Sequence, residues 1–196
     1  MLIGIHGRLG SGKDTVCERM AALGIEPVRF GFADKLKISA MASLGMRSDA
    51  FGNRRTDQEL IDLANILKEH GTIAVSVDGV QHFTITGRQY LQFKGTEGGR
   101  DVFGDDFWVD MALSGDLGSG LDRTFVCTDV RFENEAKTII ERGGQVWRVV
   151  GPDEDTGDHP SEVPLPDHFI TATIDNTVRD DGFSFLDTQI RTLLGR

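Results

Sequence analysis

A glycine-rich turn near the amino terminus has the residue types and the spacing of a phosphate-binding loop. Gly7, Gly12 and Lys13 fit the pattern G-x-x-x-x-G-K. In that pattern, backbone N–H groups of the turn bind phosphate oxygens, and the lysine reaches the β- and γ-phosphates of a nucleotide. The dinucleotide pattern G-x-G-x-x-G does not fit, because the glycines stand at positions 7, 10 and 12. The turn therefore predicts a P-loop that binds the phosphates of ATP.

The residue after this lysine departs from the strict P-loop pattern. A serine or threonine that holds Mg²⁺ through its hydroxyl is expected there, but Asp14 takes the position and Thr15 follows. A carboxylate is also a suitable oxygen ligand for Mg²⁺. Asp14 could bind the ion directly, bind it through water or orient the acceptor, and Thr15 could bond the α-phosphate. The predicted nucleotide site consists of Gly10, Ser11, Gly12, Lys13, Asp14 and Thr15, with the last two as candidate metal ligands.

Strand-like and helical patterns alternate along the rest of the chain. Short apolar runs predict strands, apolar residues at helical spacing predict helices, and capping boxes at Thr56–Glu59 and Thr86–Gln89 mark two helix starts. The predicted strands cover 2–5, 28–32, 124–130, 145–150 and 170–174. A hairpin within 72–86 is predicted to turn at 78–79. The predicted helices begin near 16, 33, 57, 87, 106, 133 and 183, and the predicted loops cover 95–106, 115–120 and 151–167.

This alternation predicts an α/β fold with a mostly parallel central sheet. Ligands of such sheets bind at the carboxyl ends of the strands. The rule places the phosphate loop, Asp34, Asp129–Arg131 and the loop after Val150 at one edge of the sheet. The motifs that could do chemistry therefore fall where the fold class would put a site.

Composition excludes several classes of protein. The 196 residues contain 21 basic and 31 acidic side chains, a net charge of −10, which argues against a binder of nucleic acid polymers. No apolar run approaches the roughly 18 residues of a membrane span, and the first residues lack the charged start of a signal peptide. Cys17 and Cys127 are interpreted as small core residues, which favours a reducing, cytoplasmic compartment.

Other motifs narrow the kind of nucleotide-binding protein. No N-K-x-D motif is present, so the sequence does not indicate a switch GTPase. Motors and helicases are usually larger and often basic. Isolated cations in predicted loops instead suit a small phosphorylated acceptor, as in a small-molecule kinase.

Five segments, in this order and spacing, resemble the deoxynucleoside monophosphate kinases of bacteriophages. They are residues 10–15 (GSGKDT), 32–37 (FADKLK), 86–92 (TGRQYLQ) with 95–97 and Arg100, 129–135 (DVRFENE), and 159–162 (HPSE). The resemblance runs from residue 1 to about residue 180. It implies a three-layer P-loop kinase fold and transfer of the ATP γ-phosphate, with Mg²⁺, to a deoxynucleoside monophosphate (dNMP).

The resemblance also implies an organisation and a setting. We expect a single domain over 1–196, with an acceptor-binding region at about 34–110 and lid-like loops at about 133–167. The protein would serve deoxynucleotide biosynthesis, in the host cytoplasm if it is of phage origin. Its partner would be the dNMP substrate, and neither a nucleic acid polymer nor a membrane is expected as a partner. Formation of a homodimer is left open.

The acceptor side would use cations and amides that can be named. Arg88 and Gln92 are four residues apart, so one helix face presents both, and Arg88 could fork onto the acceptor's phosphate while Gln92 bonds its base. Arg100, in a glycine-rich loop, could move in and place its positive charge at the transferred phosphoryl group. Arg131 should project into the same substrate-binding cleft. The predicted catalytic residues are Lys13, Asp14, Arg100 and Arg131.

Other acceptor-side residues keep two interpretations. Asp34 and Lys37 could contact the acceptor or be ordinary first-turn charges. Asp129 could hold Mg²⁺ or position a cation, or it could cap the end of its strand. The predicted substrate-binding residues are Asp34, Lys37, Arg88, Gln92, Arg100, Asp129, Arg131 and Asn134.

Some features depart from the family pattern or stay undecided. The loop at 115–120 carries no arginine, so a lid there would have to use Arg123, and the acidic residues 153–158 leave the phosphate donor open. His159 is interpreted as structural or as part of a lid with Ser161 and Glu162, and Trp108 as a core residue. Two alternative functions remain, a kinase for another small molecule such as dephospho-coenzyme A, and a nucleotide-binding switch without catalysis.

Overall fold

A computed structural model of the chain describes residues 1–8, 10–77, 80–114, 123–152, 164–178 and 182–196. Its contacts divide into two compact units, Met1–Phe32 with Leu113–Arg196, and Ala33–Ala112. The bounds of the second unit nearly match those of the predicted acceptor-binding region. That the chain acts as one kinase domain stays a prediction.

The first unit is built on a five-stranded parallel sheet. Its strands are β1 (Leu2–His6), β2 (Pro27–Phe30), β5 (Thr124–Cys127), β6 (Gln145–Val150) and β7 (Ala172–Asp175), in the order β2-β5-β1-β6-β7. Register pairs Ile3 with Val126 on one side and with Gln145 on the other. Helices α1 (Lys13–Ala22), α7 (Glu133–Glu141) and α8 (Ser184–Leu194) complete the unit.

Helices cover both faces of this sheet. On one face, Ile3 and Ile5 of β1 pack with Met20 of α1 and Ile190 of α8 in the main hydrophobic cluster. Each such fully buried aliphatic side chain contributes roughly 1.5–3 kcal/mol relative to exposure. On the other face, a Cβ at Gly4 would lie 2.5 Å from Ile139 of α7, so glycine lets this helix pack closely. The predicted α/β fold with a mostly parallel sheet is confirmed, and it has three layers.

The second unit combines helices with a separate hairpin. Its elements are α2 (Phe32–Ser43, from Ala33 on), α3 (Asp57–His70), β3 (Thr72–Val77), β4 (Val80–Thr86), α4 (Gly87–Gly95), a π-helix (Thr96–Arg100), α5 (Asp101–Phe103) and α6 (Phe107–Leu113, up to Ala112). Strands β3 and β4 pair antiparallel, as predicted. The predicted turn at Asp78-Gly79 lies outside the described residues.

Both predicted capping boxes are confirmed. The Thr56 and Thr86 side chains each accept a hydrogen bond from the backbone N–H three residues on. The Glu59 and Gln89 side chains in turn accept from the backbone N–H groups of Thr56 and Thr86. The helices that follow bury Leu60 and Leu91 in one small core cluster with residues of α2. Capping and apolar spacing therefore specify these helices locally.

The predicted loop at Gly95–Asp106 is wrong over most of its length. Its residues are helical as far as Phe103. Trp108 explains this, because its indole N–H donates to the Gly95 carbonyl at 2.9 Å. A Cβ at Gly99 would lie 2.6 Å from Trp108 Nε1, so the glycines allow the wide turn to pack against the ring. Trp108 is 8% exposed, which confirms its interpretation as a core residue.

The structure corrects the predicted lid as well. Glu133–Glu141 form α7 and Gln145–Val150 form β6, so these residues are not lid-like loops. Arg123 precedes β5, and its carbonyl accepts a hydrogen bond from the amino-terminal ammonium. It thus lies at the amino ends of the strands, which is the edge away from the phosphate loop, so it cannot serve as a lid arginine for that loop. Residues 115–120 and 153–163, which include His159, Ser161 and Glu162, lie outside the described residues.

The remaining differences are shifts of element ends. Strand β5 stops at Cys127 and β2 at Phe30, each earlier than predicted, and β7 covers Ala172–Asp175. In the part of the chain that is described, no helix combines the length and apolar character that a bilayer crossing requires.

Candidate functional site

The predicted phosphate loop connects β1 to α1 at the carboxyl edge of the sheet. Gly10 and Gly12 have φ angles of 79° and 94°, a left-handed conformation that favours glycine. Gly7 has a different constraint, because a Cβ there would lie 2.6 Å from the Val149 carbonyl oxygen. The glycines of the motif are therefore required by backbone geometry at this strand–helix junction.

Two residues outside the glycine turn contact the phosphate loop. One, Asn176, was missed by the sequence interpretation, and the other, Gly151, begins the loop after Val150 that was placed at this edge. Asn176, which follows β7, is 7% exposed and donates from Nδ2 to the Ser11 carbonyl at 2.9 Å. Gly151, which follows β6, has no room for a Cβ, which would lie 2.5 Å from Ser11 Cα. Both come directly after parallel strands, so the rule about carboxyl ends, applied to β7 as well, could have identified Asn176.

Ser11 presents a hydroxyl that the described residues do not satisfy. The side chain is 3% exposed, and Oγ is buried without a hydrogen-bond partner in the described part of the chain. An unsatisfied buried hydroxyl costs roughly 1–3 kcal/mol, so native structures seldom keep one without a reason. A bound phosphate oxygen would satisfy this hydroxyl.

Lys13 begins α1 and folds back over the loop. Its ammonium donates to the carbonyl oxygens of Gly7 and Arg8, both at 2.7 Å. The lysine is therefore held at the loop by backbone oxygens of the loop itself. Phosphate oxygens bound by the same loop would fall within reach of this ammonium.

Asp14 is paired with a cation that the sequence interpretation did not name. Its carboxylate accepts a hydrogen bond from Arg29 Nη2, and Arg29 Nε donates to Thr128 Oγ1 at 3.2 Å. The Asp14 and Arg29 side chains are 64% and 50% exposed. No sequence spacing connects Arg29 of β2 to Asp14 of α1, so only the fold could bring them together.

Asp129 is engaged by groups of the first unit. Its Oδ1 accepts from the backbone N–H of Phe32 at 3.0 Å and from the Cys127 thiol at 3.1 Å. Burial raises the pKa of Cys127 well above its usual value, and burial also raises the pKa of Cys17. These contacts fit the interpretation of Asp129 as a cap, and both cysteines fit the core interpretation.

Arg131 and Asn134 lie at the start of α7. A buried carboxylate organises this turn, because Glu135 Oε2 accepts from the backbone N–H groups of Arg131 at 2.7 Å and Phe132 at 3.1 Å. The Arg131 side chain is exposed and that of Asn134 is half-buried. Glu135 thus shapes the turn that carries Arg131, a role that the sequence did not reveal.

A buried histidine connects three segments at the same edge. His6 Nε2 accepts from the Leu165 backbone N–H at 3.2 Å, so Nδ1 carries the proton that is donated to the Val130 carbonyl at 3.0 Å. His6 directly precedes the phosphate loop. The loop, the turn after β5 and the segment at Leu165 are therefore tied together through one neutral imidazole.

The other candidate residues lie in the second unit. Arg88 and Gln92 are both exposed on α4, while Leu91 of the same helix is buried. Asp34 and Lys37 lie 3.6 Å apart as an ion pair within α2. Arg100 ends the π-helix and is half-buried, so the prediction that this glycine-rich segment is a loop is wrong.

Comparisons with known proteins include a relative that spans the whole chain. No family model matches. The chain is 24% identical to a deoxynucleoside-5'-monophosphate kinase of Escherichia phage T5, over 100% of this chain and 99% of that protein. The chain is a P-loop kinase-like protein. The resemblance seen in the five segments is thereby confirmed. It supports the prediction that the chain is a phosphotransferase.

One solved structure shows a weaker likeness to this P-loop kinase-like protein. It is a shikimate kinase from Bacteroides thetaiotaomicron, with a TM-score of 0.39 and 11% identity over 100% of this chain and 99% of that chain. A TM-score at this level does not indicate a shared fold.

The donor set at the loop fits a Mg²⁺ ion that arrives with a nucleotide. Among the described residues, no group of three or more His, Cys, Asp or Glu side chains could hold a metal by itself. Mg²⁺ bound to nucleotide phosphates needs only one or two protein oxygens. The exposed Asp14 carboxylate in the first turn of α1 has the right chemistry for this, once it leaves its pairing with Arg29. Asp129, whose Oδ1 already accepts two hydrogen bonds, could act only through water.

Proposed function

We propose that this P-loop kinase-like protein is an ATP-dependent deoxynucleoside monophosphate kinase, which converts ATP and a dNMP to ADP and a dNDP. The observation that carries the proposal is the glycine turn between β1 and α1, which carries the buried Ser11 hydroxyl, a group without a hydrogen-bond partner among the described residues. The acceptor class rests on the full-length similarity to the phage T5 enzyme of that name.

The reaction forms one P–O bond and breaks one. An oxygen of the dNMP phosphate attacks the γ-phosphorus of ATP, and the bond to the oxygen bridging to the β-phosphate breaks, so that ADP leaves. Such transfer depends mainly on positioning and charge neutralisation. We assign the donor phosphates to the N–H groups of Gly10–Lys13, the Ser11 hydroxyl, the Lys13 ammonium and Thr15.

Mg²⁺ would neutralise charge on the transferring phosphates when it is bound. The residues that would hold it are Asp14 and Thr15, with Asp129 acting through water. The chain's own cations do the remaining neutralisation. Arg131, in the turn fixed by Glu135, and Arg100 are the candidates for the transferring group.

The acceptor would bind through side chains of the second unit. The exposed Arg88 can fork onto the dNMP phosphate, and Gln92, one turn further on the same helix, can bond the base. Asp34 and Lys37 would contact the dNMP after breaking the ion pair that they form with each other. Asn134 is assigned to substrate binding on the family resemblance.

A coupled assay of ADP release tests this proposal. Reactions contain ATP, Mg²⁺ and one of dAMP, dGMP, dCMP or dTMP, and matched reactions contain no acceptor or dephospho-coenzyme A. We expect acceptor-dependent ADP with at least one dNMP, and none without an acceptor. Turnover of dephospho-coenzyme A alone would contradict the dNMP assignment. ADP or ATP binding without turnover of any acceptor would indicate a nucleotide-binding switch.

A further inference from the structure

Arg29 is a basic residue beside the phosphate loop that the proposed reaction does not yet use. It lies in β2, an edge strand of the sheet. Its guanidinium contacts two groups on neighbouring elements, the Asp14 carboxylate in the first turn of α1 and the Thr128 hydroxyl just after β5. Thr128 is itself buried, so it offers Arg29 a fixed anchor.

Asp14 creates an electrostatic problem that Arg29 can solve. Its carboxylate directly follows Lys13, in the helix turn that would face bound phosphates. A bare carboxylate there repels a phosphate chain, because like charges at close range disfavour each other. A guanidinium paired with that carboxylate removes most of the repulsion.

We infer that Arg29 is a positioning residue that holds and neutralises Asp14, and so sets how strongly nucleotide binding depends on Mg²⁺. The inference rests on the nucleotide binding in the proposed function. The ion pair is exposed, and exposed ion pairs contribute little to stability. A divalent cation that arrives with the nucleotide can therefore replace Arg29 as the partner of Asp14 at small cost.

The direct readout is ADP binding by calorimetry, measured once with EDTA and once with Mg²⁺. The quantity compared is the ratio of the two dissociation constants, Kd in EDTA divided by Kd in Mg²⁺. Without Arg29, Asp14 repels metal-free ADP and is free to bind Mg²⁺, so both effects raise the ratio. We expect Arg29→Gln to raise it roughly fivefold, and Arg29→Lys, which keeps the charge, to stay within about twofold of the wild type.

Two further variants separate this role from general charge effects. Arg191→Gln removes an exposed arginine of α8 in the same unit and should leave the ratio unchanged. In an Asp14→Asn background, Arg29→Gln should change the ratio less than about twofold, because the charge that Arg29 neutralises is gone. Circular dichroism confirms that each variant is folded.

Several results would overturn the inference. An unchanged ratio in folded Arg29→Gln would do so. An undiminished effect in the Asp14→Asn background would show instead that Arg29 acts on the phosphates directly. The measurement needs no acceptor, so a failure of dNMP turnover with ADP binding intact would refute the acceptor assignment alone. Absence of ADP binding by the wild-type chain would overturn both proposals.

Discussion

The phosphate loop of the first unit and the candidate acceptor residues of the second are constructed in opposite ways. The loop depends on backbone: two glycines with positive φ, a buried Ser11 and the Asn176 amide hold it in one shape. The acceptor candidates Arg88 and Gln92 are exposed side chains on a helix. In the proposed function, the donor site would be organised before ligand binds, whereas the acceptor site, made of long side chains, would be ordered by its ligand.

Lys13→Ala should have the largest effect. The lysine ammonium is held at the loop by two carbonyls, and in the proposed reaction it would neutralise phosphate charge during transfer. We expect kcat to fall by about 10³-fold or more in a folded protein. Steady-state kinetics with the best dNMP measure this, and Lys137→Ala, which removes an exposed lysine of α7, is the control. A near-normal kcat would contradict the role given to the loop.

Gly12→Ala tests whether the loop's backbone shape is essential. Its Cβ would lie 2.2 Å from Asn176 Nδ2 at a φ of 94°. We expect the free energy of unfolding to fall by about 2–5 kcal/mol, and ADP binding to be lost. Gly10→Ala is the matched control, because its φ is also positive but its Cβ would meet nothing within 4 Å. It should cost about 1–2 kcal/mol, and equal losses in urea denaturation would refute the steric argument.

Arg88→Ala tests the exposed half of the comparison. Losing a charged hydrogen-bonding partner of the acceptor phosphate should raise the KM for dNMP by about 10- to 100-fold. The affinity for ADP should not change, because the proposed donor site uses backbone groups of the other unit. Arg54→Ala, another exposed arginine of the second unit, serves as the control. An unchanged KM would place the acceptor phosphate on other residues.

The smallest predicted effect is on the pH dependence of Tm, when the glutamate of one capping box in the second unit is replaced. A backbone hydrogen bond from Thr56 lowers the pKa of Glu59 below its usual value of 4.5, whereas Gln89 does not ionise. Because the folded pKa is the lower one, Glu59 stabilises the fold above pH of about 4.5 and loses that effect as pH falls through the folded pKa. We expect Glu59→Gln to reduce the drop in Tm between pH 7 and pH 3.5.

Glu26→Gln, at an exposed carboxylate outside the helices, is the control for this pH series. Its drop in Tm should match that of the wild type. An identical drop in Glu59→Gln and the wild type would show that the cap does not contribute to the acid sensitivity.

Sequence reasoning succeeded where local chemistry decides the structure. The glycine pattern predicted the strand–loop–helix junction at residues 7–13, and the two boxes predicted the starts of α3 and α4. It failed where a distant residue decides. The helical segment Gly95–Phe103 packs against Trp108, and Arg29 reaches Asp14 only through the order of the strands. The side-chain roles assigned to Arg88, Gln92, Arg100 and Arg131 stay predictions.

The most direct test follows the phosphoryl group itself. The wild-type chain is incubated with ATP labelled in the γ-phosphate and with each dNMP, and the nucleotides are separated by ion exchange. The account predicts that label appears in a dNDP, and that Lys13→Ala abolishes this transfer. Label that stays in ATP or appears only in inorganic phosphate, with every dNMP tested, would contradict it.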